Sequence, residues 1–233
     1  MTEGHLRSLR GRLIVSCQAE EGTPLNRPQT AAALAQAAVS GGAAGVRVRG
    51  TDAIRATKGA VSVPVVGLTK RYFAHSPVYI TPTWDDLAAC IAAGADIVAL
   101  DATDRPRPDG LCLAEVVSRA RATANVLLMA DVSQLHEAEH AAALGVDLVS
   151  TTLAGYTGAT SSTSGPDFHL LSALVEHVGL PVVAEGRITT PEQAAEALRL
   201  GAWAVCVGKA ITAPQFITGR FVEAMQTVRS EVS

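Results

Sequence analysis

Lys70 closes the run Pro64-Val65-Val66-Gly67-Leu68-Thr69, and Glu185 closes Pro181-Val182-Val183-Ala184. An amine and a carboxyl at the ends of short β-branched runs are the groups that proton transfer at carbon needs. Taken singly, Lys70 reads as a solvated lysine leaving a strand and Glu185 as a partner for Arg187. Taken together, they read as an acid/base pair placed on opposite faces of one carbon, as inversion of a C–H centre requires. Burial in a concave site would bring the lysine towards the working range of a base. Two glycine-plus-cation steps, Gly186-Arg187 and Gly208-Lys209, suit a phosphate through exposed backbone N–H groups and positive charge.

Two other patterns carry less. His136-Glu137-Ala138-Glu139-His140 matches H-E-x-x-H, the zinc-protease helix. Leu135, Ala138 and Ala142 form the expected core stripe of that helix and set both histidines to one side. Ala143 and Val146 stand where an extended metal motif wants glycine and a third histidine, so a solvated face is the better reading and no metal is expected. Cys17 ends the first apolar run, but no histidine lies at an expected strand end to activate it. It reads as a core thiol. The four cysteines at 17, 90, 112 and 206 form no CxxC pair and read as buried thiols of a reducing compartment.

The elements that must position these groups show in three similar passages. IAAGADIVALD (91–101), AALGVDLVSTT (142–152) and LRLGAWAVCVG (198–208) each run from a helical end through glycine into a β-branched stretch. Ser40-Gly41-Gly42-Ala43-Ala44-Gly45-Val46 is a looser copy. Glycine past a helix suits the left-handed position there, and short Val/Ile/Leu runs suit parallel strands buried on both faces. Helix, glycine, strand and polar loop make the unit of alternating β/α structure. Thr83, Ser133 and Thr190 are expected helix caps, the last in a capping box with Gln193. The strands are expected at 13–17, 45–48, 65–69, 96–100, 126–130, 147–150, 181–184 and 204–207, with a short extra strand at Val78-Tyr79-Ile80.

Eight strands in 233 residues predict a single (β/α)8 TIM barrel spanning residues 1–233. A doubly wound open sheet is the alternative, but no G-x-G-x-x-G follows the first strand. In a barrel the strand ends face one mouth. Those ends are Gln18, Arg47, Lys70, Asp101, Asp131, Thr151-Thr152, Glu185-Gly186-Arg187 and Gly208-Lys209, so a polar mouth is predicted. Strands 3 and 7 lie opposite in a ring of eight, and the loops after strands 7 and 8 frequently hold phosphate.

Composition sets limits. Nineteen lysines and arginines against 22 acidic residues give a net charge of −3, which argues against a nucleic-acid surface. Aromatics at 4% disfavour a base-stacking platform, while 48% hydrophobic residues exclude disorder. The weakly polar run from Thr30 to Val46 is interrupted by Gln36, Ser40 and Gly41-Gly42, so no membrane span is expected. Leu13-Ile14-Val15 is too short for a signal core. A soluble cytoplasmic protein is the expectation.

GRLIVSCQA, GLTKRYFAHSPVYITPT, IVALDATDRPRP, LMADVS, VSTTLAGYT, VVAEGRITTPEQAAEAL and AVCVGKAIT, in this order, resemble the bacterial N-acetylmannosamine-6-phosphate 2-epimerases. The resemblance runs from about Leu13 to about Pro214. It implies a (β/α)8 barrel that interconverts N-acetylmannosamine 6-phosphate and N-acetylglucosamine 6-phosphate without metal or other cofactor, in amino-sugar and sialic acid catabolism. It also implies that Lys70 and Glu185 are the proton-transfer groups at C2. Gln18, Arg47 and Asp131 resemble the family's substrate-binding and charge-positioning groups, with Arg47 and Gln18 as donors to the developing oxyanion. Thr152 and Tyr156 of TTLxGYT, with Gly186, Arg187, Gly208 and Lys209, complete the expected substrate contacts. There are departures. Tyr72 stands where the family usually has aspartate, Ala213 where it has arginine, and Lys209 where it has serine, which leaves Lys209 as the cation of that loop. Gly158 to Gly165 reads as a mobile cover over the site.

The expected function is therefore epimerisation at C2 of an open-chain N-acetylhexosamine 6-phosphate, through an enediolate-like intermediate. Two rivals stay open: a Schiff-base aldolase acting through Lys70, and a catalytically silent sugar-phosphate sensor. The expected partner is a small sugar phosphate, and the working expectation for assembly is a homodimer.

Overall fold

A computed structural model describes residues 2–19, 21–160 and 165–231 of the chain. Eight parallel strands, β1 (Arg12–Ser16), β2 (Gly45–Arg49), β3 (Val65–Leu68), β4 (Ile97–Asp101), β5 (Leu127–Asp131), β6 (Leu148–Ser150), β7 (Val182–Glu185) and β8 (Ala204–Val207), follow one another round a closed barrel. β1 closes the ring: Ile14 is in register with Gly45 of β2 on one side and with Cys206 of β8 on the other. The (β/α)8 fold expected from the repeats is the fold observed.

Each strand sorts its residues by parity, because successive side chains point to opposite faces. Ile14, Val66, Leu68, Ile97, Met129 and Val183 fill the barrel interior. Their neighbours Val15, Val46, Val65, Val98, Leu128 and Val182 face the surrounding helices. Both sets are buried, which is why the strands read as continuous apolar runs. The same parity carries upward to the mouth. Residues 16 and 18 follow Ile14 inward, 70 follows Leu68, 131 follows Met129, and 185 follows Val183.

The helices between strands are α2 (Pro28–Ser40), α3 (Thr51–Lys58), α4 (Trp84–Ala92), α5 (Leu113–Thr123), α6 (Leu135–Ala143), α7 (Phe168–His177) and α8 (Pro191–Arg199). Thr83 caps α4 by accepting from Asp86 N at 3.1 Å. Thr190 caps α8 in the expected capping box with Gln193. A helix outside the repeats, α1 (Thr2–Leu9), covers the N-terminal end of the barrel. Its Leu9 is fully buried beside Ile14 and Ala44, and Trp203 Nε1 donates to Leu6 O at 3.0 Å. Gly45 makes room for this plug, since a Cβ there would meet Leu9 Cδ2 at 2.7 Å. After β8 come the short α9 (Lys209–Thr212) and α10 (Pro214–Glu231).

Several local expectations shift. β4, β5 and β7 run one residue further than expected, so Asp101, Asp131 and Glu185 are strand residues rather than loop residues. Val78-Tyr79-Ile80 forms no strand; Ile80 makes a single antiparallel bridge to Lys70. Ser133 does not cap α6. The Glu137 carboxylate takes that part, accepting from Ser133 N at 2.7 Å and Gln134 N at 3.0 Å. Ala141 rather than Ala142 joins Ala138 on the buried side of α6. Cys17, Cys90 and Cys206 are buried, but Cys112 is exposed just before α5. Of the 158–165 segment expected as a cover, residues 161–164 lie outside the described residues. Among the described residues, no helix is long and apolar enough to cross a membrane.

Candidate active site

The C-terminal ends of the strands open into a cavity of about 790 Å³. Gln18, Lys70, Thr152 and Glu185 line it, together with Gly186 and Gly208 of the last two βα loops. β3 and β7 are four strands apart in the closed ring, so Lys70 and Glu185 enter the cavity from opposite sides.

Lys70 is held by a backbone turn. Arg71 N donates to Tyr79 O at 3.1 Å, and Thr81 N to Thr69 O at 2.9 Å. Thr81 adopts φ 43, a left-handed conformation rare for a β-branched residue. It is fixed there by donating through Oγ1 to Ala99 O at 2.6 Å and by receiving Arg107 Nη2 on its carbonyl at 3.3 Å. Burial lowers the Lys70 pKa, and Arg47 adds to the lowering, while Glu185 acts in the opposite sense. The amine is thereby shifted towards the neutral form that accepts a proton.

Beside this pair lies a buried charge cluster drawn from three strands, Glu185 itself being a member. Arg47 of β2 is 1% exposed, and its Nη2 sits 2.6 Å from Asp131 Oδ2 of β5. Its Nη1 sits 2.7 Å from Glu185 Oε2 and 3.1 Å from Asp131 Oδ1. Burial opposes the Arg47 charge, but Asp131 and Glu185 together outweigh it and raise its pKa. For Asp131 the balance goes the other way: burial pushes the carboxyl up to about 6 against the opposing pull of Arg47. Thr152, just beyond β6, places its hydroxyl 2.9 Å from Asp131 Oδ1 and 2.8 Å from Glu185 Oε2.

Arg47 and Asp131 are therefore not in the cavity wall. The Arg47 guanidinium, expected as a donor to the substrate oxyanion, is paired in this structure with the carboxylates of Asp131 and Glu185. Asp131, fully buried, is held by Arg47 and accepts from Thr152. Gln18 remains in the wall, with Nε2 donating to Ser16 Oγ at 3.0 Å and Oε1 buried without a hydrogen-bond partner.

Arg187 lines the cavity and is also anchored to backbone. Its Nε donates to Gly165 O and its Nη1 to Ala154 O, both at 2.7 Å, and its guanidinium lies 5.3 Å from the Tyr156 ring centroid. From the cavity wall it ties the β6 and β7 loops together, and Glu185 pairs with Arg47 rather than with Arg187. Tyr156 lines the cavity and is half exposed. Gly208 and Lys209 line it at the start of α9, where Thr212 Oγ1 anchors the loop to Ser16 O at 2.8 Å.

Reading the sequence alone missed Arg49 and Tyr79. Arg49 lines the cavity and reaches Ala19 O at 3.0 Å and Asn26 Oδ1 at 3.1 Å. Its signal was parity, since it sits two residues after Arg47 on the same strand. Tyr79 also lines the cavity, stacked on Tyr72 with centroids 5.6 Å apart, and burial pushes its phenol up to about 12. Nothing local in the sequence marks Tyr79, because only the backbone bridge beyond Lys70 turns it inward.

The H-E-x-x-H helix lies away from this cavity. His136 pairs with Asp104 at 2.7 Å on the surface. Asp104, His136 and Glu137 bring potential ligand atoms within 4.8 Å of one another, but Glu137 is occupied in capping α6, and His140 is not part of the group. Cys17 is buried, and burial pushes its thiol up to about 12, as befits a core residue.

Comparison with known proteins agrees with this architecture. A family model described as "Putative N-acetylmannosamine-6-phosphate epimerase" matches residues 31–227. A Cutibacterium acnes protein named "Putative N-acetylmannosamine-6-phosphate 2-epimerase" is 48% identical over 227 residues, covering 97% of this chain and 98% of its own. One of the same name from Caldanaerobacter subterraneus is 49% identical over 219 residues, covering 93% and 92%. The solved N-acetylmannosamine-6-phosphate 2-epimerase of Clostridium perfringens superimposes with a TM-score of 0.91 at 42% identity, covering 94% of this chain and 95% of that one. With its closed barrel and this likeness over nearly its whole length, the chain belongs to the N-acetylmannosamine-6-phosphate 2-epimerase family.

Proposed function

We propose that this chain interconverts N-acetylmannosamine 6-phosphate and N-acetylglucosamine 6-phosphate by removing and returning the proton at C2. The observation that carries the reading is the entry of Lys70 and Glu185 into one cavity from opposite sides of the ring. In the open-chain sugar the C1 carbonyl acidifies the C2 hydrogen. One of the two groups takes that proton, leaving an enediolate-like intermediate, and the other delivers a proton to the opposite face. Gln18, in the wall, is the candidate donor to the developing C1 oxyanion. The loops at Gly186 and at Gly208-Lys209, where the cavity meets the start of α9, take the phosphate. Arg187 contributes by holding Ala154 and Gly165 in place.

Incubation with either 6-phosphate, followed by proton NMR, should show the other epimer growing in. Trapping of a Lys70 imine by borohydride would favour an aldolase instead. Tight binding without turnover would favour a sensor.

We also propose that the chain pairs with a second copy of itself in the cytoplasm. α10 exposes Phe221, Val222, Met225 and Val228, an apolar face of the kind that monomers rarely leave bare. All four cysteines are free thiols, which suits a reducing compartment. Sedimentation should give a dimer mass, and Phe221→Ser with Met225→Ser should lower it to that of a monomer.

A further inference from the structure

Thr152 Oγ1 has three oxygen neighbours: Asp131 Oδ1 at 2.9 Å, Glu185 Oε2 at 2.8 Å and Ser150 Oγ at 2.8 Å. A hydroxyl donates one hydrogen bond and accepts two. If Asp131 and Glu185 were both ionised, Thr152 could donate to only one of them, and the other short oxygen–oxygen contact would hold no hydrogen. One proton shared by the two carboxyls resolves this. Thr152 then donates to one carboxylate and accepts from the other carboxyl and from Ser150, so all three oxygen contacts are filled, with Arg47 Nη1 more distant at 3.5 Å.

We infer that Thr152 is a positioning residue that passes a proton between Asp131 and Glu185, so that the proton of the pair can rest on either carboxyl. The step balances. The Asp131 carboxyl gives its proton to Thr152 Oγ1 while the Thr152 hydroxyl proton moves to Glu185 Oε2, and the net charge of the cluster is unchanged. With the proton on Asp131, Glu185 is a carboxylate able to take a C2 proton. With the proton on Glu185, it is an acid able to return one. Each turnover leaves one proton more on one of Glu185 and Lys70 and one fewer on the other, which exchange with solvent restores, while Arg47 contacts both carboxyls with one guanidinium wherever the shared proton rests. This inference rests on the C2 proton transfer proposed above.

The surroundings of the pair are consistent with a shared proton. Burial raises the Asp131 carboxyl to about 6, above the ordinary carboxylate range. The groups that face the pair are Arg47 of β2, Lys70 beyond β3, Tyr79 of the β3 loop, Ser150 of β6 and Cys206 of β8. Arg47 stays charged, and burial keeps Tyr79 and Cys206 protonated. Lys70 acts across the cavity.

The test compares wild type, Thr152→Val, which removes the hydroxyl and keeps the shape, and Thr152→Ser, which restores it. The expected result for Thr152→Val is a fall in kcat of about tenfold or more in both directions. KM should change little, the limb of the pH–rate profile set by the carboxyl pair should shift, and Thr152→Ser should recover both. A Thr152→Val enzyme with wild-type kcat and pH profile overturns the inference. So does a loss confined to KM, which would make Thr152 a substrate contact. Should Thr152→Val not fold, infrared titration of wild type decides: a carboxyl titrating near 6 supports the shared proton, and its absence overturns it. Epimerisation by wild type in the same assay separates the two claims, since an inactive wild type removes the functional reading itself.

Discussion

Arg47 Nη1 lies 2.7 Å from Glu185 Oε2, at a point where Arg47 is almost wholly excluded from solvent. The same guanidinium engages Asp131 through both terminal nitrogens, so one buried cation holds two carboxylates from the strands that flank β6. Such a cluster is costly to assemble, because each ion gives up several kcal/mol of hydration. What it gains is a glutamate fixed in direction beneath the cavity, opposite Lys70.

Replacing Arg47 by methionine should therefore do two things at once. Asp131 and Glu185 would face each other unpaired in the interior, and breaking a buried pair in this way costs about 3–5 kcal/mol. Urea unfolding should register that loss. kcat should fall steeply even in the folded fraction, because Glu185 loses its orientation. Arg47→Lys should not restore activity, since a single ammonium lacks the planar fork that reaches both carboxylates.

Asp131 predicts a pH dependence of stability. Its carboxyl titrates at about 6 in the folded barrel against an ordinary value of 3.8. Between those limits the folded state binds the proton more tightly, so this contribution is complete below the unfolded value and is lost as pH rises through about 6. Measured against Asp131→Asn across pH 4 to 7, wild type should lose relative stability as pH rises. A flat difference would contradict the assignment.

Gly155 predicts how firmly the β6 and β7 loops are joined. It sits at φ 76, and an added Cβ would meet Arg187 Nη1 at 2.5 Å. Gly155→Ala should cost about 1–3 kcal/mol from backbone strain alone. It should also displace Arg187 from the Ala154 carbonyl. KM should rise more than kcat falls, as substrate titration would reveal.

The H-E-x-x-H segment predicts a null result. His140→Ala should leave kcat within about twofold of wild type, as befits a surface helix position. Prolonged chelation should not lower activity either. Loss of activity on chelation, restored by a divalent cation, would overturn the reading of α6 as a structural helix.

Much of the active end was legible because it depends on short-range pattern. Lys70 and Glu185 stand at the ends of β-branched runs, and counting such runs sets them four strands apart. Thr83 and Thr190 announce their helices through capping chemistry. Long-range charge pairing was not legible. Nothing local at Arg47 says that Asp131, 84 positions away, and Glu185 will close over it. Nor does anything local announce that Arg187, which lines the cavity, also donates to the carbonyls of Ala154 and Gly165 in the β6 loop. α1 escaped notice because its eight residues carry too little apolar repeat, and its use is visible only where Leu9 plugs the barrel beneath Gly45.

The measurement that bears most directly on the central claim is turnover of N-acetylmannosamine 6-phosphate in D₂O, with C2 followed by NMR. If Lys70 and Glu185 transfer protons from opposite faces, N-acetylglucosamine 6-phosphate should appear with deuterium at C2. Lys70→Ala, which removes one of the two groups while leaving the barrel folded, should stop epimer formation. Epimer that retains its original hydrogen throughout, or undiminished turnover by Lys70→Ala, would contradict the account.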